Sequence, residues 1–583
     1  MYISEVYIKG FRNFEEETIN FNAKTLIIGQ NDIGKSNLIY GLRLLLDKTI
    51  SDAELELDSS DFNVYYDAKE IEICIKFSSI SEECILSKFK QHIHDDGTLL
   101  LRLTATLSKT GEVKTYLWVG KDRESFEEIE NRYYIKTLNM EFVGSSRNLT
   151  AFIRKERKKL LQEAMIVRSE DEINNDATMM DKIKKEILDA NDKIESLSYV
   201  SKSTECINKE LQKMSTHNEG LDIGFNVVTN SSEDILKNLE LVSTVNNQKL
   251  AVGGYGRNNQ IFISLWTRNG QASSDVATSV TIYCIEEPEA HLHPHQQRKL
   301  ADYIVNTLSG QVIITSHSPQ IAAEFSPDSI VRLYDSNNFS KAANNGCSPK
   351  IEDAFDDFAY RLNIIPAEAF FSKCVLLVEG PSEELFYKAL AKELNIDLDK
   401  LNISILKVDG VGFNVYIKVL SELGIDYVMR TDNDVFKNSN GKKYRCAGVQ
   451  RCIDVYRANK QPITEIEILL QNEEQLKEMG VRHITNSVAK IVDKLRNMLE
   501  LQCIYLGIAD LETDMYNSEI KADLRTFYNT RTKELTIKKM QDKKALNMYA
   551  FLKAKHNTLS KLKENQLAKP LLKCVELVGV KYE

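Results

Sequence analysis

A short apolar stretch, Thr25-Leu26-Ile27-Ile28, runs straight into Gly29-Gln30-Asn31-Asp32-Ile33-Gly34-Lys35-Ser36 and then into the helical run NLIYGLRLLLD. This is GxxxxGK[ST] in the setting its chemistry needs, a strand before it and a helix after it. The glycines permit a tight loop whose backbone N–H groups point at phosphate. The helix N-terminus adds a favourable dipole. Lys35 is expected to reach the β- and γ-phosphates and the Ser36 hydroxyl to ligate Mg²⁺, with Gly29, Asn31 and Gly34 shaping the loop. An α/β fold with a P-loop nucleotide site is the expectation, with ATP as its ligand.

Two more strand ends fit that site. Val280–Ile285 (VTIYCI) leads into Glu286-Glu287-Pro288-Glu289, and Val312–Ser318 (VIITSHS) brings His317 to the end of another apolar run. Glu286 would reach the metal through water, and Glu287 is placed to activate the attacking water. A neutral His317 would contact the γ-phosphate or orient water. The run HLHPH (291–295) suggests zinc, but no fourth ligand of matching spacing is nearby, and Pro294 suits a helix start better.

The second half is organised around Val375–Glu384, VLLVEGPSEE. Continuous Val/Leu, then a turn, then a helix reads as a buried parallel strand. Chemistry in open α/β sheets sits past the carboxyl ends of the strands, where Glu379 falls, with Glu383 one helical turn on. Ile403–Val408 ends at the turn-like Asp409-Gly410-Val411-Gly412, and Gly424–Met429 runs into Arg430-Thr431-Asp432-Asn433-Asp434. On an extended backbone Asp432 and Asp434 point to one face. Carboxylates packed this closely repel one another unless a cation sits among them. Mg²⁺ suits such a site, since it prefers oxygen ligands and keeps several waters.

The chain has 583 residues, too many for a single core. Asp335–Ser348 (DSNNFSKAANNGCS) is the best linker, followed by a helical segment Ile351–Leu362 and a turn at Pro366. Arg154–Leu241 has helical spacing and almost no Gly or Pro, and reads as paired amphipathic helices, either a dimerisation arm or a local insert. Ten scattered cysteines without CxxC pairs predict no disulfide framework. No membrane span and no secretory signal is expected, and the location predicted is cytoplasmic. Net charge is −10, yet Lys521–Glu583 holds fifteen Lys/Arg against six Asp/Glu, and Lys437–Arg451 is basic too. Each basic run reads equally as solvated lysines or as a surface that tracks nucleic acid.

In their order, the three strand-end motifs of the first half resemble the ABC-type ATPases of DNA maintenance, such as the SMC and RecF families. That resemblance asks for a Gly/Ser-rich signature from a second subunit. The candidate Gly253-Gly254-Tyr255-Gly256-Arg257 departs from LSGGQ, which implies slow or regulated hydrolysis. Phe142–Leu149 could also present Arg147 to nucleotide, although a plain loop fits equally well.

The order strand–Glu–Gly, strand–Gly, strand–DxD is similar to the TOPRIM fold. A TOPRIM module behind an ABC ATPase resembles the overcoming-lysogenization-defect (OLD) family of endonucleases. The segments IKGFRNFE, LVEGPSE and TDND are most similar to the A subunits of Gabija anti-phage systems. The resemblance implies an ABC-type ATPase domain over residues 1–345, with the helical insert at about 154–241, and a TOPRIM nuclease domain with a basic C-terminal region over 346–583. It implies metal ligands at Glu379, Glu383, Asp432, Asp434, Asp510 and Glu512, with Asp514 a lesser candidate. Glu379, Asp432 and Asp510 are also the expected catalytic acids, with either Lys543 or Lys544 as the catalytic lysine, Lys544 fitting better.

The chemistry implied is hydrolysis of double-stranded DNA with two Mg²⁺ or Mn²⁺ ions, regulated by ATP. The partners implied are a second copy of the chain, as dimer or higher homo-oligomer, and a helicase-like Gabija B subunit. Two rivals stand beside it. One is an SMC/RecF-like repair ATPase whose TOPRIM domain only binds DNA. The other is a topoisomerase, which would need an attacking tyrosine.

Overall fold

The computed structural model describes residues 1–51, 55, 57–144, 161, 164–166, 168–214, 242–245, 248–251, 279–290, 292–348, 367–408, 412–437, 443–471, 473, 479 and 486–579. They fall into two compact units, Met1–Ser145 with Asp275–Glu583, and Ser146–Ser274. The candidate signature at 253–257, Arg147, the segments 351–362 and 409–411, Pro366 and His291 lie outside the described residues.

The first unit opens with an antiparallel sheet in the order Phe14–Asn20, Tyr2–Phe11, Glu70–Ser78, Leu99–Leu107, Val113–Gly120, Phe126–Ile129. A second sheet runs Phe339–Ala342, Ile330–Ser336, Lys24–Ile28, Val312–Thr315, Val280–Glu286, Leu138–Val143. It is parallel except for its hairpin edge. The helix Lys35–Leu46 buries Leu38, Ile39, Leu42 and Leu45 in an apolar core that also takes Ile8, Ile73, Ile282 and Ile313. Each such side chain contributes about 1.5–3 kcal/mol of burial. That core holds the three motif-bearing strands side by side, with the P-loop strand between Val312–Thr315 and Ile330–Ser336.

The stretch Asp335–Ser348 is not a linker. Ile330–Ser336 and Phe339–Ala342 pair as a hairpin, with Asn337 and Asn338 at φ 55° and 71° in its turn. A two-residue turn with both φ positive matches the strand twist, and asparagine tolerates it. Ser340 and Ala342 are buried, so the polar composition conceals a packed edge. From this edge Arg332 reaches the carbonyls of Leu423 (3.1 Å), Gly424 (2.9 Å) and Ser372 (3.0 Å), tying the two parallel sheets of this unit together.

The second parallel sheet has the order Ile403–Lys407, Cys374–Val378, Asp426–Thr431, Ile504–Leu506. Every residue of Cys374–Val378 is buried, as a strand covered on both faces requires. The helix Pro381–Glu393 packs with the C-terminal helices through Phe386, Leu390, Phe551 and Leu571.

In the second unit, the helices Glu170–Glu195 and Ser198–Met214 lie in the segment read as paired amphipathic helices. Ser169 and Glu172 close a capping box at the start of the first. A short ladder joins Val242–Val245 to Gln248–Ala251. Among the described residues no helix is long and apolar enough to cross a membrane.

Candidate active site

The nucleotide site is built at three strand ends. Gly34 caps the helix Lys35–Leu46 at φ 97°, and a Cβ there would fall 2.3 Å from Asn13 Nδ2, so the loop closes only on glycine. Lys35 Nζ donates to the carbonyls of Gly29 (3.0 Å) and Gln30 (2.7 Å). Burial pushes its ammonium down to about 8, against the pull of Glu287, Asp32, Glu286 and Glu289. Asn31 is exposed on the loop and Ser36 in the first turn of the helix. Glu286 ends its strand, and Glu287 follows at φ 46°, its N–H donating to the Thr315 carbonyl at 2.9 Å.

Glu287 Oε1 lies 3.7 Å from His317 Nε2. Burial first, then Lys35, holds His317 below its usual value with Glu287 opposing, which favours the neutral imidazole. Glu289 was not singled out in the sequence. Its Oε1 accepts from the His317 N–H (2.7 Å) and the Ser316 hydroxyl (2.8 Å), locking two strand ends together. Pro294 begins the helix Pro294–Asn306 with His293 as its cap.

The acids of the second half collect where the order of the parallel strands reverses, beyond Cys374–Val378 and Asp426–Thr431. They come in three groups, each with a basic side chain. Glu379 Oε1 accepts from the Asp432 N–H (2.8 Å), the Thr431 hydroxyl and Arg451 Nη2 (2.6 Å). Asp434 Oδ2 lies 3.2 Å from the same Arg451 nitrogen.

Asp432 pairs instead with Arg430 Nη1 at 2.6 Å. Glu383 Oε1 at 3.8 Å and Asp514 Oδ2 at 3.7 Å complete the surroundings of that guanidinium. The two aspartates expected on one face of an extended chain therefore take different cations, because the strand ends at Thr431. Their side chains are 3% and 28% exposed, so the first belongs to the interior and the second to the rim.

Glu512 forms the third group with Lys544, whose Nζ lies 3.4 Å away, while Lys543, exposed like Lys544, caps the helix Lys544–Lys555. Both Glu512 carboxylate oxygens are buried without a hydrogen-bond partner. Asp510 caps the helix Leu511–Tyr516, accepting the Thr513 N–H at 2.9 Å and the Gln541 amide. Asp514, the lesser candidate, is buried and accepts the N–H groups of Ile508 (3.1 Å) and Ala509 (3.0 Å).

Burial pushes the Asp432 carboxyl up to about 8, with Arg430 opposing and Glu383, Glu379 and Asp434 adding to the rise. Burial likewise raises Glu383 and Asp514, against Arg430, and Glu512, against Lys544. For Lys544, burial acts to lower its value, but Glu512, Asp432, Glu383 and Asp510 hold it above. Among the described residues no three acidic, histidine or cysteine side chains gather around one point that an ion could fill. The donor set still fits a divalent cation. It consists of carboxylate oxygens only, two of them orphaned, and Mg²⁺ needs just one or two carboxylates beside its waters.

Sequence reasoning missed Arg430, Arg451 and Gly448. A Cβ on Gly448 would fall 2.0 Å from the Asp432 carbonyl oxygen, so the helix Ala447–Asn459 meets the aspartate turn only through glycine. Tyr387, which lies beside Glu383, Asp432 and Asp514, is fully buried, away from any DNA.

Comparisons with known proteins agree with this two-part construction. The AAA ATPase domain family matches residues 1–322, and the TOPRIM domain of overcoming-lysogenization-defect-like proteins matches residues 370–434. Endonuclease GajA of Bacillus cereus (strain VD045) is 25% identical over 569 residues, 94% of each chain. The OLD nuclease of Thermus scotoductus (strain ATCC 700910 / SA-01) is 22% identical over 74% of this chain and 82% of its own. The Old nuclease of Escherichia phage P2 is 32% identical over 28% of this chain and 30% of its own. With the AAA ATPase domain matched over more than half its length, the chain belongs to the AAA ATPase domain family, and the OLD-like TOPRIM domain behind it, together with its GajA and OLD nuclease relatives, is consistent with a Gabija-like member of the overcoming-lysogenization-defect family.

Proposed function

We propose that the chain is a nucleotide-regulated, divalent-metal-dependent DNA endonuclease of anti-phage defence, with ATP bound in residues 1–345 and cleavage carried by residues 346–583. The observation that carries this is the gathering of Glu379, Glu383, Asp432, Asp434, Glu512 and Asp514 beyond the carboxyl ends of the parallel strands, with Glu512 left without hydrogen bonds in the interior. Glu379, Asp434, Asp432, Glu383 and Glu512 would hold one or two Mg²⁺ or Mn²⁺ ions. Such ions activate water and clamp the scissile phosphate when bound. Lys544, beside Glu512, would offset charge developing on the phosphorus centre. Asp510 shapes the site by capping the helix that carries Glu512.

In the nucleotide site, Lys35 binds phosphate, Glu287 takes up a proton from water, and neutral His317 orients it. Double-stranded DNA is the substrate. A second copy of the chain and a helicase-like B subunit are the partners, and the cytoplasm is the setting.

Incubation with supercoiled plasmid and Mn²⁺ or Mg²⁺ tests the reading. The wild type should nick or cut, while chelator or Glu379→Ala should abolish it. One observation favours a second reading. Arg430, Arg451 and Lys544 already pair with these acids, as they would in a TOPRIM domain that only binds DNA. No cleavage of any DNA, alongside intact ATP hydrolysis, would establish that alternative.

A further inference from the structure

Arg451 ends the basic run Lys437–Arg451, but its side chain turns inward. Its Nη2 lies 2.6 Å from Glu379 Oε1, 3.2 Å from Asp434 Oδ2 and 3.1 Å from the Asp432 carbonyl oxygen, and its Nε donates to the Thr431 hydroxyl at 2.9 Å. Three oxygens from three residues thus surround one cationic nitrogen. Two are carboxylates, whose mutual repulsion a positive charge must relieve. An oxygen set of this kind equally suits a hard divalent cation.

We propose that Arg451 is a built-in counter-cation. It holds Glu379 and Asp434 together until a divalent ion arrives, and it must leave Glu379 for that ion to bind. Arg451 thereby sets the metal affinity of the site. This inference rests on the nuclease reading of the same acids.

Arg430 and Arg451 differ in the property that matters. The Arg430 side chain is 3% exposed and shut in by Asp432, Glu383 and Asp514, whereas Arg451 is 31% exposed. An arginine with nearly a third of its side chain in water can exchange carboxylates for water at modest cost. Its backbone is fixed, because Gly448, one turn earlier, packs on the Asp432 carbonyl. Only the side chain has to move.

The test is Mn²⁺ binding to the full, nucleotide-free chain, read from loss of the free Mn²⁺ signal in electron paramagnetic resonance. Arg451→Gln should bind Mn²⁺ about fivefold more tightly, the equivalent of one exposed ion pair. Arg451→Lys, which keeps the charge, should stay near wild type. Phenylglyoxal labelling mapped by mass spectrometry gives a readout on the unmutated chain, and Mn²⁺ should raise modification of Arg451. Equal or weaker binding by Arg451→Gln, or labelling indifferent to Mn²⁺, overturns the proposal while the nuclease reading survives. Wild-type binding that is unaffected by Glu379→Gln overturns the nuclease reading, and this inference with it.

Discussion

Replacing Arg430 by methionine keeps most of the side-chain volume and removes a charge that faces three carboxylates. The side chain is 3% exposed, its guanidinium 2.6 Å from Asp432 and within 3.8 Å of Glu383 and Asp514. Removing one partner of a buried ion pair costs about 3–5 kcal/mol, because the remaining charge has no compensation. Here three acids are left, so the upper half of that range is expected while they are ionised. The loss depends on pH. Burial already lifts Asp432 to about 8, and without Arg430 it lifts further, so the folded state takes up protons that the unfolded chain has released.

An acid whose folded value is raised contributes stability below its unfolded value and loses it as pH rises through the folded value. The penalty of Arg430→Met should therefore be larger at pH 9 than at pH 6. Amide exchange in peptides spanning residues 426–434, with chelator present, measures it locally. At pH 9 exchange should be on the order of 10³- to 10⁴-fold faster than in wild type, after correction for intrinsic rates, and the gap should narrow at pH 6. Adding Asp432→Asn to the variant should recover part of the loss. Equal protection in variant and wild type at both pH values would refute the reasoning.

Two other substitutions probe the two sites. Gly448→Ala places a Cβ 2.0 Å from the Asp432 carbonyl, so the aspartate turn must shift, and Mn²⁺ affinity should fall at least about tenfold with little change in nucleotide binding. Titration of each ligand checks both halves of that statement. Lys35→Ala should weaken ATP binding by about 10²-fold or more while leaving Mn²⁺ binding by the acids intact. Calorimetry with ATP and with Mn²⁺ separates the two effects.

The sequence exposed what local chemistry encodes. The P-loop, the acid after VTIYCI and the all-apolar strand before Glu379 each combine a periodicity with an abrupt change of residue type, and the structure has strands at all three places. What it hid depends on partners distant in the chain. Arg430 stood in plain view beside the aspartates, but its role depends on Glu383 and Asp514, which other elements deliver. Arg451 read as surface charge because nothing local tells an inward arginine from a solvated one. Asp335–Ser348 reads as a linker on polar composition, although it contains the turn and second strand of a hairpin, and Asn337-Asn338 between alternating residues is the available turn signal. Extended geometry was assumed through Asp434, but the ladder ends at Thr431 and the two aspartates part.

The direct test is a count of bound Mn²⁺ on the nucleotide-free chain, wild type against Glu379→Ala and Glu512→Ala, with proton release followed at pH 7. If the acids at these strand ends exist to hold divalent metal, the wild type binds one or two ions and releases protons as it does so, and each substitution removes binding. Plasmid cleavage that continues with chelator present, or Mn²⁺ binding that neither substitution weakens, would contradict the account.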